Sequence, residues 1–251
     1  MATYVLVPGF WLGAWAWQPV ARGLRARGHE VYPVTLTGLG ERVHLAGAHV
    51  DLETHIADVI NLVEFEDLHE VVLVGHSGAG IVVTGAADRM AARIGRLVYV
   101  ESGPVPDGRA HLDINPPEVQ EFIKRQVKEH GDGWRWPMPS WEECETVLHA
   151  SLAGLDQEQR AQMRARAVAH PFGAISQPLR RESPTRDPLP KVLISCSFPL
   201  AQVRQMIAAG HPWFRELAGP EWSFRELPTG HWPMFSVPDD LARLLDDLAA
   251  R

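Results

Sequence analysis

Val71-Val-Leu-Val-Gly75-His76-Ser77-Gly78-Ala79-Gly80-Ile81 is the stretch whose reading decides the fold. Val71–Val74 is a continuous apolar run, as expected for a strand buried on both faces. It leads into a serine set among small residues, and helical patterning follows over Gly80–Asp88. A strand that turns into a helix across one serine forces that serine into a strained backbone conformation. Strand and helix then pass close together two residues to either side, where only very small side chains fit. Gly75 meets that need, and Ala79 meets it less comfortably. The serine oxygen projects beyond the carboxyl edge of the sheet, where open α/β sheets bind ligands. The backbone N–H of Gly78 and the positive end of the following helix point at the same space.

Outward from this segment, strands and helices alternate. Toward the N-terminus the pattern predicts strands over Thr3–Val7, Glu30–Val34 and Glu70–Val74, and helices over Trp17–Arg27 and Leu52–Glu64. Leu97–Val100 is the next strand. Such alternation implies a mostly parallel sheet flanked by helices, an α/β fold. From about Pro104 to Pro190 the chain is polar and proline-interrupted. Its clearest helices are Glu118–Glu129 and Asp156–Ala169, and Trp134, Trp136 and Trp141 cluster between prolines. This segment reads as a mainly helical cap, residues 104–190, inserted into a core of residues 1–103 and 191–251. The sheet resumes with Val192–Cys196 and Ser223–Leu227, and the helix Pro238–Leu248 closes the fold.

The sequence has 251 residues, a net charge of -7, 45% hydrophobic residues and 22% charged residues. These values suit a globular protein with a sizeable core. The acidic balance argues against nucleic acid or an anionic membrane as main partner. No apolar run is long enough to span a bilayer, and Met1–Val7 has no basic leader, so a cytoplasmic protein is expected. The two cysteines, Cys144 and Cys196, have neither disulfide-framework nor zinc spacing. Cys196, in an apolar strand, reads as an inert buried thiol.

A serine needs a neighbouring base to act as a nucleophile. Twelve histidines compete for the role. His231, in Leu227-Pro-Thr-Gly230-His231-Trp232-Pro233, lies after the last strand and before the last helix, in a loop that returns to the carboxyl edge near Ser77. His76 adjoins the serine, but its side chain is expected to point away and pack.

Taken together, these residues resemble the α/β-hydrolase superfamily along essentially the whole chain. They are most similar to the plant methylesterase and hydroxynitrile lyase group and its bacterial esterase relatives. The matching segments are Val5-Leu-Val-Pro8-Gly9-Phe10-Trp11, Ala14-Trp15, Thr35-Leu-Thr-Gly-Leu-Gly40, Gly75-His-Ser77, Leu97-Val-Tyr-Val-Glu101 and Gly230-His231. The resemblance implies an oxyanion hole formed by the backbone N–H groups of Phe10 and Gly78. Pro8 replaces the family's usual histidine, without effect on a hole built from backbone donors.

The pattern breaks at the third member of the expected triad. Many family members carry an aspartate after the strand matched by Val192–Cys196. Here the chain reads Ser197-Phe198-Pro199-Leu200, with no carboxylate. Glu101, at the end of the neighbouring strand, is the expected replacement, with Asp107 and Asp187 as alternatives. The order Ser77, Glu101, His231 agrees with the fold, and the acid's task is to hold the imidazole tautomer and stabilise its cation.

Trp11, Phe198, Trp232 and the cap residue Trp136 are expected to line an aromatic, largely apolar substrate pocket. The implied reaction is hydrolysis of a small ester through an acyl-enzyme. A lyase or decarboxylase on the same scaffold is one rival, although Trp232 stands where hydroxynitrile lyases carry a lysine. A binding protein without turnover is another. No cofactor is expected: Gly38-Leu-Gly40 lacks the third glycine of a dinucleotide fingerprint, and no metal-binding spacing occurs. The expected partner is a small-molecule substrate, with the tryptophan-rich cap a candidate homodimer surface.

Overall fold

The computed structural model describes residues 1–181 and 189–249. Apolar side chains at odd and even positions of the strands go to opposite faces of one sheet. Its strands are β1 (Thr3–Val7), β2 (Glu30–Pro33), β3 (Val71–His76), β4 (Ile94–Val100), β7 (Lys191–Ser195) and β8 (Trp222–Glu226). Between β4 and β7 lies a separate antiparallel ribbon of β5 (Arg135–Trp136) and β6 (His170–Pro171). The sheet runs β2-β1-β3-β4-β7-β8, and every neighbouring pair in it is parallel.

The two-residue period sorts the core. Tyr4, Leu6, Val72, Val74, Val98, Val100, Val192 and Ile194 face one side, against the helices Gln18–Arg25 and Pro238–Ala249. Val5, Val7, Val71, Leu73, Leu97, Tyr99 and Leu193 face the other, against Leu52–Phe65 and Gly80–Arg89. All six residues of β3 are buried, as a strand covered on both faces requires. The strand that carries the serine is therefore held from both sides.

Residues 101–181 contribute no strand to this sheet. They form the helices Pro117–His130, Trp141–Thr146, Gln157–Arg166 and Gly173–Ser176, together with the β5–β6 ribbon. Several elements differ from the periodicity reading, among them the β5–β6 ribbon and the helices Trp141–Thr146 and Gly173–Ser176. The helix expected over Asp156–Ala169 ends at Arg166, and the chain then enters β6. Leu200–Ala208 is a helix that the periodicity reading does not include, although Leu200, Val203 and Ile207 meet the core at helical spacing. A third apolar cluster, with Trp11, Leu112, Phe122, Ile123, Trp136 and Ile175, joins residues 101–181 to the loop after β1.

Candidate active site

Ser77 follows β3 directly and takes a φ of 49°, the left-handed conformation that the strand–turn–helix reading demands. Its neighbours must be small for measurable reasons. A Cβ on Gly75 would lie 2.6 Å from a methyl of Val83, and one on Gly80 2.3 Å from Ser102 Oγ. Ala79 is accommodated and buried. Ser102 Oγ donates a 2.6 Å hydrogen bond to the carbonyl of Ser77, which satisfies that carbonyl at the turn.

Ser77 Oγ and His231 Nε2 are 2.7 Å apart, although 154 residues separate them in the chain. The loop that carries His231 is tied down at three points. The N–H groups of Gly230 and His231 donate to the carbonyls of Ala153 (3.0 Å) and Ser151 (2.8 Å). Nε2 of His76 donates to the carbonyl of His231 at 2.8 Å. The fully buried His76 side chain thus does more than pack: it fastens the histidine loop to the strand that ends at the serine. Only its place beside Ser77 marks it in the sequence. Burial and the neighbouring His76 ring push the pKa of His231 down to about 3, so the imidazole is neutral at physiological pH and able to accept a proton.

The loop after β1 closes over the same point. A Cβ on Gly9 would lie 3.0 Å from Ser77 Cβ, and one on Gly78 would lie 2.4–2.7 Å from three carbons of the Phe10 ring. Both glycines are needed for Phe10 and the turn to approach each other. The early N–H groups of a helix have no partner within the helix, so that of Gly78 is open to a ligand.

Glu101 stands at the end of β4, with a φ of 45°. Its carboxylate accepts from the N–H groups of Cys196 (2.7 Å), Ser197 (3.0 Å) and Phe198 (3.3 Å), and from the Ser197 hydroxyl. It therefore sits in the turn where many family members have their aspartate. Burial raises its pKa, against the pull of these donors. The structure does not join it to His231: among the described residues, no carboxylate oxygen lies within 4.0 Å of a His231 ring nitrogen. Asp107 accepts from the N–H of Arg181 instead, and Asp187 lies outside the described residues. Cys196 is buried, and burial raises its thiol pKa.

A cavity of about 230 Å³ opens onto Ser77 and His231. Trp11, Trp136 and Trp232 line it, with Phe10, Ile114, Ile123, Leu148 and other residues. Phe198, expected with them, does not: it is 39% exposed and its ring leans on Phe214, because the turn that binds Glu101 carries it outward. Trp141 packs on Trp232 rather than on the cavity. His111, Asn115 and Ser102 line the cavity without a signal in the sequence reading, since they belong to no motif.

A family model described as the alpha/beta hydrolase family matches residues 4–244. The chain belongs to that family. It is 33% identical to a carbendazim hydrolyzing esterase of Nocardioides sp. (strain SG-4G) over 263 residues, covering 98% of each protein. It is 30% identical to putative methylesterase 14, chloroplastic, of Arabidopsis thaliana over 135 residues, 52% of this chain and 39% of that protein. Among solved structures, an extracellular alpha/beta-hydrolase from a Paenibacillus species superposes with a TM-score of 0.81 at 24% identity, covering 98% of both chains. The kinship with plant methylesterases and bacterial esterases, the α/β-hydrolase fold and the carboxylic ester hydrolase class all stand on these matches. Among the described residues, no helix of this hydrolase is long and apolar enough to cross a membrane.

Proposed function

We propose that this hydrolase cleaves small, largely apolar esters through an acyl-enzyme on Ser77. The observation that carries the reading is the 2.7 Å contact between Ser77 Oγ and a half-buried, neutral His231 at the floor of an aromatic cavity. His231 Nε2 takes the serine proton as Oγ attacks the ester carbonyl. The N–H groups of Phe10 and Gly78 receive the oxyanion. His231 then protonates the leaving alcohol, and water, activated by the same imidazole, releases the acid. The described residues of the expected 104–190 cap shape the pocket, with Trp136 and the neighbouring Ile114, Ile123 and Leu148 as its apolar face.

Glu101 supplies the negative charge of the site. It lines the same cavity as Ser77 and His231, and four donors hold it in place. In this reading it stabilises the imidazolium through space and shapes the 196–198 turn beside it.

The test is turnover of a short-chain aryl ester by wild type and Ser77→Ala, together with labelling by an active-site phosphonate. Turnover and labelling that both vanish in Ser77→Ala are expected. Turnover that survives the substitution, or a wild type that neither turns over esters nor takes the label, would exclude the acyl-enzyme.

A further inference from the structure

Most polar side chains around the cavity are already engaged. Ser77 and His231 are paired, Ser102 is bound to the Ser77 carbonyl, and Glu101 is held by the 196–198 turn. His111 is different. It lines the cavity from the segment after β4, its ring lies T-shaped to that of Phe10 with centroids 4.7 Å apart, and neither ring nitrogen has a hydrogen-bond partner among the described residues. Four residues on, Asn115 turns its Nδ2 to the carbonyls of His111 (3.2 Å) and Leu112 (3.3 Å). Two carbonyl acceptors fix the amide's orientation and leave Oδ1 as an unused acceptor. Burial lowers the His111 pKa to about 4, so the neutral ring offers one N–H donor and one nitrogen acceptor.

An unpaired donor and two unpaired acceptors in this pocket lose hydrogen bonds to water when the pocket fills, unless the ligand replaces them. A hydrocarbon group leaves them unpaired, whereas a neutral group with a donor beside an acceptor satisfies them. An anionic group is disfavoured, because among the described residues no Lys or Arg lines the cavity and Glu101 does. We propose that His111 and Asn115 form a polar subsite that selects esters bearing a neutral donor–acceptor group, of secondary-amide type, away from the scissile bond. The proposal rests on the cavity being the substrate pocket of the reading above, and it adds the chemical class that the pocket prefers.

The experiment measures binding, so it does not depend on turnover. In Ser77→Ala, quenching of tryptophan fluorescence reports ligand affinity, because Trp11, Trp136 and Trp232 line the cavity. One probe pair is para-acetamidophenyl acetate and para-isobutylphenyl acetate. The reversed pair is methyl para-acetamidobenzoate and methyl para-isobutylbenzoate, so the polar group is presented from either side of the ester. The acetamido member of at least one pair is expected to bind about fivefold more tightly than its isobutyl partner, the worth of one net hydrogen bond. His111→Phe should erase that preference and leave the isobutyl ester's affinity in place, and Asn115→Leu should weaken the preference in the same way. A preference unchanged by His111→Phe, an equal loss for both members of a pair, or no binding of any of the four esters would overturn the subsite. Binding with the expected preference but without turnover in the wild type would overturn the hydrolytic reading and keep the subsite.

Discussion

Glu101→Gln separates two roles that a buried carboxylate can play here. On one side the carboxylate oxygen Oε1 accepts from the Ser197 and Phe198 N–H groups and the Ser197 hydroxyl, and on the other Oε2 accepts from Cys196 N–H. Glutamine keeps an oxygen for the three-donor side and presents an NH₂ group to the Cys196 N–H. One charge-assisted bond is lost and one buried donor is left without an acceptor, at a cost of about 2–4 kcal/mol in folding stability. The catalytic effect follows from distance. A unit charge at 4 Å in an effective dielectric of about 20 is worth about 4 kcal/mol, and Glu101 lies farther than 4.0 Å from the His231 ring nitrogens. That figure is a ceiling, so kcat should fall by about tenfold to a hundredfold, short of the ~10⁴-fold loss seen when a directly bonded triad acid is neutralised. Urea unfolding gives the first quantity, and single-turnover acylation well below the unfolding transition gives the second. An unchanged acylation rate would refute the electrostatic role. A ~10⁴-fold loss would refute the inference that the carboxylate acts from a distance.

Gly78→Ala places a methyl group on the Phe10 ring; displacing the Phe10 loop should cut kcat about 10²–10³-fold with little change in KM, measured by steady-state ester hydrolysis. Because burial and His76 hold the His231 pKa near 3, the base stays unprotonated as pH falls through the ordinary imidazole range. A kcat/KM profile should therefore stay flat from pH 7 to 5, and an acid limb centred near 6.5 would contradict it. His76, His111 and His231 are all lowered by burial, so below pH 6.5 the unfolded chain takes up protons that the folded chain refuses. The stability from keeping these rings neutral is complete above pH 6.5 and declines as pH falls toward 4, read as a falling urea midpoint.

The elements that position the site are legible in the sequence because buried parallel strands read as apolar runs. Thr3–Val7 and the strand before Ser77 are written in β-branched and leucine residues, and the φ of Ser77 follows from the turn between them and the next helix. His231 is legible from topology, since the loop after the last strand has one direction in which to return. The Leu200–Ala208 helix is marked only by the short stripe Leu200, Val203 and Ile207, of which Val203 alone is buried. Glu101 is legible as a residue of the site but not in its contacts. Which way a carboxylate turns depends on the donors around it, here three consecutive N–H groups of a turn more than ninety residues away. Phe198 shows the same limit, since the turn that feeds Glu101 also swings that ring outward. His111 and Asn115 carry no motif, and only the walls of the cavity bring them into view.

The ties on the His231 loop bear on how the chain acquires its chemistry. That loop is anchored to Ser151, Ala153 and His76, and it follows β8, the edge strand of the sheet. Contacts of such sequence separation close late, because loop entropy must be overcome first. The β2-β1-β3-β4 portion lies within the first 100 residues, whereas base and nucleophile are 154 residues apart. Loosening of the β8 edge would accordingly silence the molecule while most of its secondary structure persists, so that loss of turnover marks the first opening of the fold and not its collapse.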